Sequence, residues 1–120
     1  MRISTKGDYA TRALQDLALH YAEGPVPIEA IAQRQALPAR YLEQLLLTLK
    51  RAGYLASKRG VNGGYYLAKP PREITLGQVL RAVDGAEVRD AVSAIVDHTT
   101  LADICDRIRA KTKERISYQI

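Results

Sequence analysis

Apolar and polar residues follow a helical rhythm along most of this chain, broken once by a short stretch with a different period. In "TKGDYATRALQDLALHYAEG", Ala10, Ala13, Leu14, Leu17, Ala18 and Tyr21 recur at three- and four-residue spacing, which predicts an amphipathic helix with one buried face. Thr5 and Asp8 have capping-box spacing at its start, and Gly24-Pro25 marks its end. "PVPIEAIAQRQAL" predicts a short second helix with Ile28, Ile31 and Ala32 inward. Pro27 suits its first position, which needs no backbone donor. After a break at "ALPA", "RYLEQLLLTLKRAG" carries Leu42, Leu45, Leu46 and Leu49 as a buried stripe, with Gly53 where a left-handed helix stop belongs.

The rhythm then changes. "YLASKR" and "YYLAK" read as two strands around the turn "GVNGG". Beyond them the helical period returns. "TLGQVLRAVDG" opens with the capping-box spacing Thr75…Gln78, buries Leu76, Val79, Leu80 and Val83, and stops at Asp84-Gly85. "EVRDAVSAIVDH" has a broad apolar face of Val88, Ala91, Val92, Ile95 and Val96. "TTLADICDRIRA" pairs Thr100 with Asp103 as a cap and buries Leu101, Ile104, Cys105 and Ile108. The charged tail from Lys111 is expected to fray, unless Ile116, Tyr118 and Ile120 dock.

Three helices followed by a hairpin give a fold class: mainly α with a small β-hairpin wing, a winged helix-turn-helix domain in residues 1–85. Residues 86–120 then hold a dimerisation helix and a C-terminal helix and tail. The face of Val88, Ala91, Val92, Ile95 and Val96 is broad for a helix on so small a domain, which points to a homodimer.

Charge sharpens the picture. The chain of 120 residues carries a formal net charge of +5. Residues 1–70 hold 10 Lys/Arg against 5 Asp/Glu, and residues 71–120 hold 8 against 8, so the excess lies wholly in the winged-helix part. A basic half beside a neutral half suits a polyanion. No apolar run approaches the roughly 18 residues of a membrane span, and the start has no secretory pattern. The expectation is a cytoplasmic protein. No catalytic Ser/His/Asp or Cys/His arrangement is evident, and "RGVNGG" lacks the lysine of a phosphate-binding loop, so an enzyme is not expected.

On the third helix Arg40, Tyr41, Glu43, Gln44, Thr48 and Lys50 lie outside the leucine stripe. Side chains near the start of a recognition helix reach base edges, so Arg40, Tyr41, Glu43 and Gln44 are the expected readers, with Lys50 a further expected DNA contact. Glu43 is repelled by phosphate. It either accepts from a cytosine amino group or pairs with Arg40 or Lys50 on the helix surface. Lys58 and Arg59 enter the wing turn, where an arginine is drawn to a narrow minor groove. Gly60, Gly63 and Gly64 let the backbone reverse and approach phosphates. The other reading of the hairpin is an exposed turn with incidental charges. Cys105, the single cysteine, reads as a buried small hydrophobe before it reads as a redox sensor.

The blocks "MRISTKGDYATRAL", "GPVPIEAIAQRQALPARYLEQLLLTLKRAGYLASKRGVNGGYYLAK", "ITLGQVLRAVDG" and "RDAVSAIVDHTTLADI" together resemble the Rrf-two family of bacterial winged-helix regulators. The resemblance implies a homodimer that binds a two-fold symmetric operator in double-stranded DNA and regulates transcription, most simply as a repressor. By position it assigns base reading to Arg40, Tyr41, Glu43 and Gln44, and the minor groove to Arg59. Iron–sulfur members carry three cysteines after the segment matching "VDG", and this chain has none there, so no iron–sulfur cofactor is expected. Asp8 matches a cluster-binding carboxylate of nitric-oxide-sensing relatives; without cysteines it reads as a capping residue. Val83-Asp84-Gly85 runs almost directly into Glu87-Val88-Arg89, without the family's usual linker. Either the loop is naturally short, or a stretch after Gly85 is left out of this sequence, in which case the cofactor expectation would be reconsidered. The "RDAV…TTL" ending is similar to cluster-free members that repress cysteine metabolism, which implies a metabolic enzyme partner such as cysteine synthase. The alternative function is a winged-helix interaction module that holds a protein without specific DNA binding.

Overall fold

The computed structural model describes residues 4–85 and 98–118, the side chains of 114–118 excepted. Helix α1 spans Thr5–Leu19, α2 Ile28–Gln35 and α3 Ala39–Arg51. Strands β1, Leu55–Lys58, and β2, Gly64–Leu67, form an antiparallel hairpin. Helix α4 covers Leu76–Asp84 and α5 covers Leu101–Tyr118. Mainly helical with one hairpin wing, the fold follows the sequence expectation.

The apolar stripes meet in one core. Ala10, Ala13, Leu14 and Leu17 of α1 pack with Ile31 of α2 and with Leu42, Leu46 and Leu49 of α3. Leu55 and Leu67, directly paired across the hairpin, close it from the wing side. Each such side chain removed from water contributes about 1.5–3 kcal/mol. Leu101 and Cys105 of α5 enter the same core, so it does not stop at residue 85. The chain joins α5 to the N-terminus of α4 by two backbone bonds: Leu76 N–H donates to Thr99 at 2.8 Å and Leu101 N–H to Ile74 at 2.9 Å. Both predicted caps form there. Thr75 and Gln78 bond reciprocally, as do Thr100 and Asp103.

Several local expectations shift. The cap of α1 is Ser4, whose hydroxyl oxygen accepts from Gly7 N–H at 2.9 Å, not Thr5 with Asp8. Asp8 instead faces Arg12 at 3.6 Å, one turn on. Helix α1 ends at Leu19, before Gly24-Pro25, and a 3-10 turn over Tyr21–Glu23 carries Tyr21 out to 45% exposure rather than into the core. Pro27 caps α2 from outside it, and only Ile31 of the three inward candidates is fully buried. Leu76 and Val83 are half-buried. Helix α5 does not fray at Lys111 but runs on to Tyr118. The segment holding Val88, Ala91, Val92, Ile95 and Val96 lies outside the described residues.

The turn between α2 and α3 sets the angle between the two helices. Ala36 adopts a left-handed conformation (φ 53°), and Leu37 N–H reaches back to Ala32 at 2.9 Å. A left-handed alanine costs about 1–2 kcal/mol, offset here by burying Leu37. At the other end Gly53, φ +90°, ends α3, and Tyr54 N–H donates to Leu49 at 3.0 Å. Glycine takes that backbone without strain.

Candidate nucleic-acid interface

Helix α3 buries Leu42, Leu45, Leu46 and Leu49, which turns the opposite face outward. Arg40, Glu43, Gln44, Leu47, Thr48, Lys50 and Arg51 are exposed, and Tyr41 is half-buried. Thr48 donates back to the Gln44 carbonyl at 3.0 Å, so its hydroxyl is engaged within the helix. Tyr41 is held by an edge-on contact with Tyr9 of α1, ring centroids 5.5 Å apart. The Arg12 guanidinium lies 5.9 Å from the Tyr9 ring and donates to the Gln35 carbonyl at 2.7 Å. One chain of contacts thus links the end of α2 to the start of α3.

A second tie lies on the wing side. Lys50 donates to the Ser57 hydroxyl at 2.6 Å, fastening the last turn of α3 to β1. Sequence reading put Lys50 among the DNA contacts and did not see this bond. Of the pairings open to Glu43 on the helix surface, neither the one with Lys50 nor the one with Arg40 forms: among the described residues the Glu43 side chain makes no ion pair or hydrogen bond. Its carboxylate faces outward beside Gln44.

The hairpin places Lys58 opposite Gly64, with Arg59 at the entrance to the turn and both cations exposed. Its glycines have distinct tasks. Gly60 (φ +117°) turns the chain in open space, and Gly63 N–H donates to its carbonyl at 3.0 Å. A Cβ on Gly63 would stand 2.2 Å from the Lys58 carbonyl oxygen. A Cβ on Gly64 would stand 2.3 Å from the Val26 backbone, which pairs with Tyr65 through two bonds of 2.8 Å. Gly64 therefore admits a third backbone to the wing. Approach to phosphate is not needed to explain it.

The arrangement is a helix with an exposed polar face, flanked by a cationic wing. The Rrf2 family profile, described as an iron-dependent transcriptional regulator, matches residues 3–88. The chain belongs to the Rrf2 family. It is 51% identical over 84 residues to a candidate HTH-type transcriptional regulator of Synechocystis, slr0846, covering 70% of this chain and 57% of that protein. It is 43% identical over 117 residues to the HTH-type transcriptional regulator IscR of Pectobacterium carotovorum, covering 90% of this chain and 71% of the relative. The solved structure of CymR (YrzC), the global cysteine regulator of B. subtilis, superposes with a TM-score of 0.83 at 36% identity, covering 89% of this chain and 98% of that one. These relatives are transcriptional regulators, not enzymes.

The iron in the Rrf2 description invites a test of the donor set. Cys105, the one cysteine of the sequence, is 2% exposed on the core face of α5. Burial pushes its thiol pKa up, away from the thiolate that iron needs. Among the described residues no three His, Cys, Asp or Glu side chains gather closely enough to hold a metal ion. The residues present do not fit an iron–sulfur cluster bound through cysteines within one chain. No helix among them is long and apolar enough to cross a membrane.

Between α1 and α2 lies an ion pair the sequence did not disclose. Asp16 of α1 is 2% exposed and is gripped by Arg34 of α2. The hydrogen bond to Asp16 raises the Arg34 pKa further above its ordinary value, so the guanidinium stays charged. The available signal was an acid on the apolar side of α1, between Leu14 and Leu17.

Proposed function

We propose that this Rrf2 protein is a sequence-specific DNA-binding regulator, a repressor that acts as a homodimer on a two-fold symmetric operator. The observation that carries this is the joining of two surfaces: the outward face of α3, where the side chains of Arg40, Glu43 and Gln44 make no hydrogen bond or ion pair among the described residues, is tied by Lys50–Ser57 to the strand that leads into Arg59. A helix of this width enters the major groove, where Gln44 reads adenine edges and Glu43 accepts from cytosine. From there the wing brings Lys58 and Arg59 to the neighbouring backbone and minor groove. The localised positive charge of residues 1–70 supports the same reading.

The dimer rests on the apolar positions Val88, Ala91, Val92, Ile95 and Val96, and would set two recognition helices about 34 Å apart, one turn of DNA. The protein works without an iron–sulfur cluster of its own cysteines. An enzyme of cysteine biosynthesis, such as cysteine synthase, is the proposed protein partner, on the likeness to CymR. Enrichment and sequencing of bound genomic fragments tests the reading: a two-fold symmetric motif is expected, and random recovery would favour the interaction-module alternative. Sedimentation at micromolar concentration should give a dimer, with and without DNA.

A further inference from the structure

Helix α3 contains five leucines, and one is out of place. Leu42, Leu45, Leu46 and Leu49 are at most 5% exposed, whereas Leu47 is 41% exposed. At about 3.6 residues per turn, Leu47 lies opposite the buried stripe. Arg40 and Arg51 share its line along the helix, and Glu43 and Gln44 lie one turn before it. Other parts of the chain border this face on both flanks. Lys50 is bonded to β1 on one side, and on the other Tyr41, Gln44 and Thr48 line a cavity of about 80 Å³ with Lys6 and Val83. Leu47 therefore stands near the middle of the surface that faces outward.

A single exposed leucine is ordinary on a protein surface. Its place among the base-reading side chains gives this one a meaning. In the major groove the base pairs present hydrogen-bonding groups and one apolar group, the C5 methyl of thymine. A leucine, which can neither donate nor accept, finds a favourable partner there only in that methyl. Against guanine or cytosine it would cover polar edges without replacing their bonds to water.

We infer that Leu47 reads the methyl group of a thymine in the major groove, a specificity contact beside those of Glu43 and Gln44. The inference rests on the DNA-binding reading above. It assigns an apolar element to a recognition face otherwise made of charged and polar groups.

The test uses the tightest duplex that the full chain selects from a random-sequence pool. Each thymine is replaced in turn by deoxyuridine, which removes the methyl and nothing else. At one position inside the selected motif the replacement should weaken binding about fourfold, the worth of one buried methyl group. Leu47→Ala should lose a similar factor on the thymine duplex and be indifferent to deoxyuridine at that position. Leu47→Gln, closer in size, should be indifferent too, while Gln44→Ala should keep the methyl dependence. A uracil penalty that persists undiminished in both Leu47 variants, or no methyl-dependent position at all, overturns the inference while leaving specific binding intact. Failure to select any preferred sequence overturns both this inference and the proposed function.

Discussion

The guanidinium of Arg34 holds Asp16 in a fork, Nε donating to Oδ1 at 2.9 Å and Nη2 to Oδ2 at 2.8 Å. The two partners are unequally placed: Asp16 is buried, whereas the Arg34 side chain keeps 41% of its surface in water. The Gln35 amide adds a longer bond to Oδ1 at 3.4 Å. Because Arg34 and Gln35 are the last residues of α2, the fork anchors the helix that precedes the turn to α3.

That inequality predicts unequal costs. Arg34→Ala leaves a buried carboxylate with one weak donor and should destabilise by about 3 kcal/mol. Asp16→Asn frees an arginine that water can solvate, and should cost less, about 1–2 kcal/mol. Urea unfolding with an unchanged slope measures both, and the reverse order would refute the account.

Reading and holding should separate. Glu43→Ala is expected to relax preference at one base pair by about 1–3 kcal/mol without weakening non-specific binding, since an unpaired negative charge leaves the surface. Arg59→Ala should lower affinity for most sites and flatten its salt dependence by about one counterion's worth. Titration against an operator and a point-mutated operator at several salt concentrations distinguishes them. Full discrimination in the first variant and full affinity in the second would remove these residues from the interface.

The wing glycines should differ in stability. Gly60→Ala meets open space but a positive φ, and should cost about 1–2 kcal/mol. Gly64→Ala drives a methyl into the Val26 backbone and must part Val26 from Tyr65, a larger loss, on the order of 3 kcal/mol. Thermal unfolding of the two variants checks the order. Equal shifts would mean that the Val26 pairing contributes nothing.

Anaerobically purified protein should be colourless, and Cys105→Ala should still bind DNA. The native thiol should resist alkylation, because burial raises its pKa, and should react once the chain unfolds. Visible charge-transfer absorption with stoichiometric iron would overturn this.

Acid should erase one cap. Asp103 accepts the Thr100 N–H at 2.9 Å, and this bond holds its carboxyl below the ordinary range. With the folded pKa below the unfolded one, its contribution is complete above about pH 4 and vanishes as pH falls through the lower folded value. Wild type and Asp103→Ala should therefore differ in stability at neutral pH and converge in strong acid.

Some of this protein was written along the chain in forms that need no knowledge of distant residues. The leucine stripe of α3, the stop at Gly53, the Thr75–Gln78 and Thr100–Asp103 caps and the hairpin around "GVNGG" depend on neighbours within one or two turns. Helical period and backbone preference act over that range, so the sequence by itself determined the element order of the described residues and the outward face of α3.

Tertiary structure decided what depended on partners far along the chain. Ser4 and Thr5 are both able caps; the Ser4 hydroxyl caps α1 and also donates to Asp84, 80 residues away. Asp16 could not be read as buried without Arg34, nor Lys50 as a brace without Ser57. Gly64 looked like a turn residue until Val26 filled the place of its missing Cβ. Each is a polar bond or a close approach between segments whose separation no local period encodes. Hydrophobic burial is non-directional and legible in a pattern, whereas hydrogen bonds and steric fits require the three-dimensional positions of both partners.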